Sequence, residues 1–235
     1  MEESKSHRDF QINPNKAIKY ILFDFDGTII DSMPFLENNA VSLLTKYYKF
    51  TKEEAQRKYR NTTGLPFVQQ MEIISPDNHN LNSEIVDKFE KMKIQKIFDQ
   101  KPFNESYEVL KELKIRRYKL GISSGTIEEI IAEYLNEENI SDLVDDILGW
   151  KPGFEKGKDH FDFISSKYGF SPSEIVFIGD SLNDARRANN NGILFIARVG
   201  MFQSDDFETI IPNVKVITSL KEILEDFPHL STDRK

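Results

Sequence analysis

No cysteine occurs among the 235 residues, which excludes disulfides, thiolate nucleophiles and cysteine zinc sites. Surplus positive charge is missing too: 31 Lys and Arg stand against 39 Asp and Glu, a formal net charge of -8. Without surplus cations a chain displaces few counterions from a polyanion, so no nucleic acid and no anionic membrane surface is expected as a partner. An anionic small molecule stays open, because one bound metal ion reverses the field of an acidic site. No apolar run approaches the roughly 20 residues needed to span a bilayer. Residues 1–15 are polar and charged and lack the apolar core of a signal peptide, which makes the cytoplasm the expected location. Internal repeats and low-complexity tracts are absent. The four histidines (His7, His79, His160, His229) are scattered, so none is expected to be catalytic, and His160 reads as a helix-face residue. The single tryptophan, Trp150, reads as packing.

What the chain does have is alternation. Residues 18–23 form a short, continuous apolar and β-prone run, the pattern of a strand buried on both faces. Similar runs recur at 118–123, 174–178 and 193–197, with a further one at 214–217. Helical patterns separate them at 107–115, 127–135, 159–168 and 184–190. Strands alternating with helices predict an α/β fold with a doubly wound parallel sheet and right-handed crossovers.

The stretch from 34 to 100 breaks this rhythm. Its apolar residues Ala40, Val41, Leu43, Leu44, Tyr47 and Tyr48 follow helical spacing. Thr51 followed by Glu54 spells a capping box at a helix start. Residues 66–74 and 83–98 also read as helices. The expected organisation is an N-terminal extension over 1–16, a core domain over 17–32 and 101–235, and a helical cap domain inserted after the first strand over 33–100. Inserts over a strand-end crevice commonly serve as lids.

In open parallel sheets, ligands sit outside the carboxyl ends of the strands. Three of the runs end there in polar residues. The first ends in Asp24-Phe25-Asp26-Gly27-Thr28, the second in Ser124-Gly125-Thr126, the third in Gly179-Asp180-Ser181. Their convergence on one crevice is the physical case for a site. Of two carboxylates alternating along an extended segment, one can hold a metal and attack while the other moves a proton. A carboxylate is a weak nucleophile and needs an electrophile polarised by a cation, such as a phosphoryl group bound to Mg²⁺. Ser124, Gly125 and Thr28 offer a hydroxyl and backbone amides to a phosphate. Asp180 is placed to complete the oxygen shell of a hard cation. Asp184 is expected one layer out, orienting a lysine or a metal-bound water. A lysine must offset this cluster, and Lys151, Lys156 and Lys158 are the candidates.

With these residues the chain resembles the haloacid dehalogenase superfamily of phosphohydrolases. The resemblance runs from about residue 16 to about residue 227. It rests on Asp24-Phe25-Asp26-Gly27-Thr28 with Asp31-Ser32, on the strand ending at Ser124, and on Gly179-Asp180-Ser181-Leu182-Asn183-Asp184. Lys156 with Gly157 best resembles the family's lysine motif; Lys151-Pro152 and Lys158 stay open. The resemblance implies a Rossmann-like core, an aspartyl-phosphate formed on Asp24, and Asp26 as the proton carrier. It also implies Mg²⁺ held by Asp24, the backbone carbonyl of Asp26 and Asp180. The insert resembles the cap of phosphoglycolate phosphatase and β-phosphoglucomutase relatives, with Thr63-Gly64-Leu65-Pro66-Phe67 as its substrate loop and Gln69 and Gln70 just beyond. The expected substrate is a small phosphorylated metabolite, turned over by a monomer or homodimer. A phosphosugar mutase would use the same two Asp residues. A dehalogenase needs no acid such as Asp26. A phosphonate-cleaving enzyme needs a Schiff-base lysine in the cap, where Lys46, Lys49, Lys52 and Lys58 offer no distinctive spacing. A non-catalytic binding module is the reading from a different class, and no carboxylate of the core is missing to suggest it.

Overall fold

The computed structural model describes residues 18–230. The expected N-terminal extension therefore lies outside the described residues.

Strand β1 (Tyr20–Asp24) is buried along its whole length and sits inside a six-stranded sheet. The others are β2 (Lys119–Ile127), β3 (Asp146–Trp150), β4 (Ile175–Gly179), β5 (Leu194–Arg198) and β6 (Lys215–Ile217). They lie in the order β3-β2-β1-β4-β5-β6, and every neighbouring pair is parallel. The chain builds outward from β1 through β2 to β3, then returns to the other side of β1 for β4. That places the topological switch point between β1 and β4, where ligands bind in open sheets.

Side chains alternate across β1. Ile21 and Phe23 enter one apolar cluster with Val109, Leu113, Ile131 and Leu135. Those residues come from α5 (Ser106–Ile115) and α6 (Glu128–Glu137). Tyr20 and Leu22 enter a second cluster on the opposite face with Phe161, Ile164, Ala185 and Ala188, drawn from α7 (Lys158–Tyr168) and α8 (Leu182–Asn190). A short α9 (Ser204–Glu208) follows β5. Burial on both faces explains why β1 is a continuous apolar run and not an alternating one.

Between β1 and β2 stand α1 (Met33–Tyr48), α2 (Lys52–Thr62), α3 (Phe67–Ile74) and α4 (His79–Lys96). They enclose a third cluster of their own, including Leu36, Leu44, Tyr59, Phe67, Met71, Ile85 and Phe89. Phe67 and Phe89 stack with ring centroids 3.8 Å apart, tying α3 to α4. The capping box starts α2: the Thr51 amide donates to Glu54 at 2.9 Å and the Glu54 amide to Thr51 Oγ1 at 3.2 Å. No helix among the described residues is long and apolar enough to cross a membrane.

The sequence pattern missed one strand. β3 is short, begins with an aspartate and carries Gly149, so its apolar content falls below what a strand pattern requires. Asp146 is polar for a reason that lies elsewhere in the chain. It accepts hydrogen bonds from the hydroxyls of Tyr20 (2.9 Å) and Tyr168 (2.6 Å) and pairs with Lys167 at 2.5 Å. Asp146→Ala leaves the buried Tyr20 hydroxyl unpaired, and is expected to cost about 2 kcal/mol. Thermal unfolding checks this; an unchanged melting temperature would show that the network contributes nothing.

Candidate active site

Asp24 is the last residue of β1, and Asp180 follows β4 directly, so the switch point brings their carboxylates together. Ser124 lies on β2, whose Ser123 is in register with Asp24. Lys156 precedes α7, and Asp184 lies in the first turn of α8, whose amide is capped by Ser181 Oγ at 3.1 Å. Lys156 Nζ lies 2.7 Å from Asp24 Oδ1 and 2.7 Å from Asp184 Oδ1, with all three side chains nearly sealed from solvent. The other two candidates are elsewhere: Lys158 pairs with Asp162 on the surface, and Lys151 lies 3.6 Å from Glu128.

The electrostatics follow from burial. Removal from water pushes the Asp24 carboxyl up to about 7; Lys156 pulls against this and Asp184 adds to it. Asp180 is driven well above the usual carboxylate range by burial, then by Asp24 and Asp184. Burial opposes the charge on Lys156, but Asp184 and Asp24 outweigh it and the net shift is upward. One lysine thus faces three buried carboxylates.

Asp24, Asp180 and Asp184 each offer an oxygen within 4.8 Å of the others. Oδ2 of Asp180 and Oδ2 of Asp184 are buried and accept no hydrogen bond. Buried carboxylate oxygens without donors are costly. A cluster of hard oxygen donors with unused lone pairs suits a hard divalent cation. The residues present therefore fit Mg²⁺. Gly27 keeps the approach open: it has φ +77°, and a Cβ there would stand 2.2 Å from Asp180 Oδ2.

Asp26 is held by three donors: Ser32 Oγ (2.7 Å), Lys93 Nζ (3.0 Å) and Thr126 Oγ1 (3.1 Å). Burial raises its pKa, yet Lys93, Ser32 and Thr126 together hold it below the ordinary range. Lys93 arrives from α4 of the insert and is not one of the insert's lysines named from the sequence, Lys46, Lys49, Lys52 and Lys58. A signal existed. Ile85, Phe89 and Lys93 stand four residues apart, so the helix carries Lys93 on the stripe that buries Ile85 and Phe89.

Ser124 and Gly125 line the cavity above Asp24, with Ser124 Oγ accepting from the Thr126 amide at 3.0 Å. Ser123 points away and shares a 2.8 Å hydrogen bond with His160 Nδ1. His160 lies on the buried face of α7, against β2; desolvation first, then Lys156, pushes its pKa down to about 3. Thr28 is fully buried and is not among the residues that line the cavity; its amide donates to the Phe25 carbonyl at 3.4 Å, and its buried hydroxyl has no hydrogen-bond partner among the described residues.

The loop from Thr63 to Phe67 closes the cavity from the cap side. Asn183 Nδ2 donates to the Thr63 carbonyl at 2.6 Å, and Arg187 to the Gly64 carbonyl at 2.6 Å. Gly64, at φ +89°, passes so close to the core that a Cβ would meet Ser181 Oγ at 2.2 Å. Gln70 lines the cavity, whereas Gln69 reaches Glu155 at 3.4 Å outside it.

A family model described as haloacid dehalogenase-like hydrolase matches residues 21–198. A phosphoglycolate phosphatase of Vibrio parahaemolyticus is 28% identical over 222 residues, covering 88% of this chain and 95% of its own. The pyrophosphatase PpaX of Bacillus velezensis is 26% identical over 194 residues, covering 76% of this chain and 82% of its own. The solved structure of a haloacid dehalogenase-like family hydrolase from Streptococcus pneumoniae shares the fold. Its TM-score is 0.73 at 23% identity, over 89% of this chain and 98% of the other.

Proposed function

This chain belongs to the haloacid dehalogenase-like hydrolases, and from that footing we propose a Mg²⁺-dependent phosphatase that hydrolyses a small phosphorylated metabolite through an aspartyl-phosphate. That the chain is a phosphohydrolase follows from the family and its phosphatase-named relatives. The observation that carries the finer reading is the buried lysine shared by Asp24 and Asp184, beside carboxylate oxygens that accept no hydrogen bond.

Asp24 Oδ1 is committed to Lys156 and to the Phe25 amide at 2.7 Å, so attack on phosphorus falls to Oδ2. As that oxygen bonds to phosphorus, the bond to the leaving oxygen breaks. Asp26, an ionised carboxylate in the free site, takes up a proton as the negatively charged phosphate binds beside it and gives that proton to the leaving oxygen. In the second half Asp26 takes a proton from water, the water oxygen bonds to phosphorus, and Asp24 leaves as a free carboxylate. Ser32 and Thr126 fix the orientation of Asp26 in both halves. The Ser124 hydroxyl and the Gly125 amide hold the phosphoryl oxygens. Mg²⁺ would be held by Asp24, Asp180 and the Asp26 carbonyl, with Asp184 next to them, and would supply charge neutralisation of the phosphoryl group.

The test is turnover of p-nitrophenyl phosphate by the purified protein. Hydrolysis is expected with Mg²⁺ and is expected to vanish on chelation with EDTA. No turnover with Mg²⁺ by the folded protein would favour a binding module over an enzyme.

A further inference from the structure

We propose that the cap residues Glu90 and Lys93 select a short leaving group that is uncharged and carries hydroxyls, so that the substrate is a phosphorylated polyol. This rests on the phosphatase reading above and deepens it.

Both residues lie on α4 three positions apart and both line the cavity beside Asp26. Lys93 spends one N–H on Asp26 and, as an ammonium, has two more to offer. Glu90 lines the cavity and makes no hydrogen bond and no close ion pair with any described residue, although Lys93 is near enough to favour its charge and Asp26 to oppose it. Tyr59 adds a hydroxyl that likewise has no hydrogen-bond partner among the described residues. The cap thus presents one anion, one cation and one neutral donor-acceptor to the leaving group.

Glu90 and Lys93 are opposite charges that act on each other in one cavity, so a carboxylate or second phosphate on the leaving group would lose against Glu90 what it gains from Lys93, and an ammonium the reverse. A hydroxyl is the neutral group that can donate to Glu90 and accept from Lys93 at once. The cavity measures about 80 Å³, room for a phosphoryl group and a short chain. This sets the chain apart from what the names of its relatives describe, since glycolate and phosphate are both anionic leaving groups.

The experiment measures kcat/KM with Mg²⁺ for glycerol 3-phosphate, phosphoglycolate, pyrophosphate and O-phosphoethanolamine, with p-nitrophenyl phosphate as the reference. Glycerol 3-phosphate is expected to exceed the other three metabolites by about tenfold or more. Glu90→Gln, which keeps shape and removes the negative charge, is expected to raise kcat/KM for phosphoglycolate and narrow that gap to about threefold. Equal or better turnover of phosphoglycolate or pyrophosphate by the unmodified protein overturns the selection, as does an unchanged ratio in Glu90→Gln. Those results leave the phosphatase reading intact provided p-nitrophenyl phosphate is hydrolysed. No turnover of any phosphate ester overturns both.

Discussion

Asp24→Asn is expected to lower phosphatase turnover by about four orders of magnitude or more, the scale on which an enzyme loses its nucleophile. The substitution keeps the size and the planar shape of the side chain, and its Oδ1 can still accept from the Phe25 amide. The amide nitrogen cannot attack phosphorus. Asp180 and Asp184 remain to take a divalent cation, and Lys156 keeps Asp184 at 2.7 Å. Two measurements separate chemistry from folding: turnover of p-nitrophenyl phosphate, and the rise in melting temperature on adding Mg²⁺. Lost turnover with a surviving Mg²⁺-dependent rise supports the role proposed for Asp24. Turnover within tenfold of the unmodified protein would sink the aspartyl-phosphate mechanism, on the scale that nucleophile losses set.

Lys156→Ala is expected to harm both folding and activity. Its ammonium is the partner of two carboxylates in a site almost closed to water. Removing one member of a buried ion pair costs about 3–5 kcal/mol, because the remaining charge is left without compensation. For a chain of this size that lowers the melting temperature by roughly 10 °C. Mg²⁺ is expected to recover part of the loss by taking the place of the missing positive charge among the carboxylates. Turnover is expected to fall by about two to three orders of magnitude, as when a preorganised electrostatic partner is removed. Lys158→Ala is the control, since its ammonium reaches only Asp162 on the surface. An effect of Lys158→Ala on turnover as large as that of Lys156→Ala would show that the lysine had been assigned to the wrong position.

The core was readable because its signals are local. A strand buried on both faces must be an apolar run, and its end at a crevice must be polar; both facts sit within ten residues of each other at 18–28. The same holds at Ser124 and at Asp180. The capping box at Thr51 and Glu54 is likewise a contact between near neighbours. β3 escaped because its polar first residue, Asp146, answers to Tyr20, 126 positions away. The burial of Thr28 was not legible because it follows from how the turn after Asp26 pairs its own carbonyls and amides, and not from residue type.

The alternation of buried strands with helices, the polar residues at the ends of β1, β2 and β4 and the helical nature of the insert were determined by the sequence itself, through hydrophobic period and residue chemistry. Which of Lys151, Lys156 and Lys158 meets Asp24 was decided by the tertiary structure, because three lysines within eight residues have the same local chemistry and differ only in where the loop before α7 aims them. The contact of Lys93 with Asp26 was decided there too. It spans 67 residues and exists because packing of Phe89 on Phe67 turns α4 so that one lysine of its four points at the core. Periodicity can mark the face on which such a residue lies; only the docking of one element on another supplies the partner.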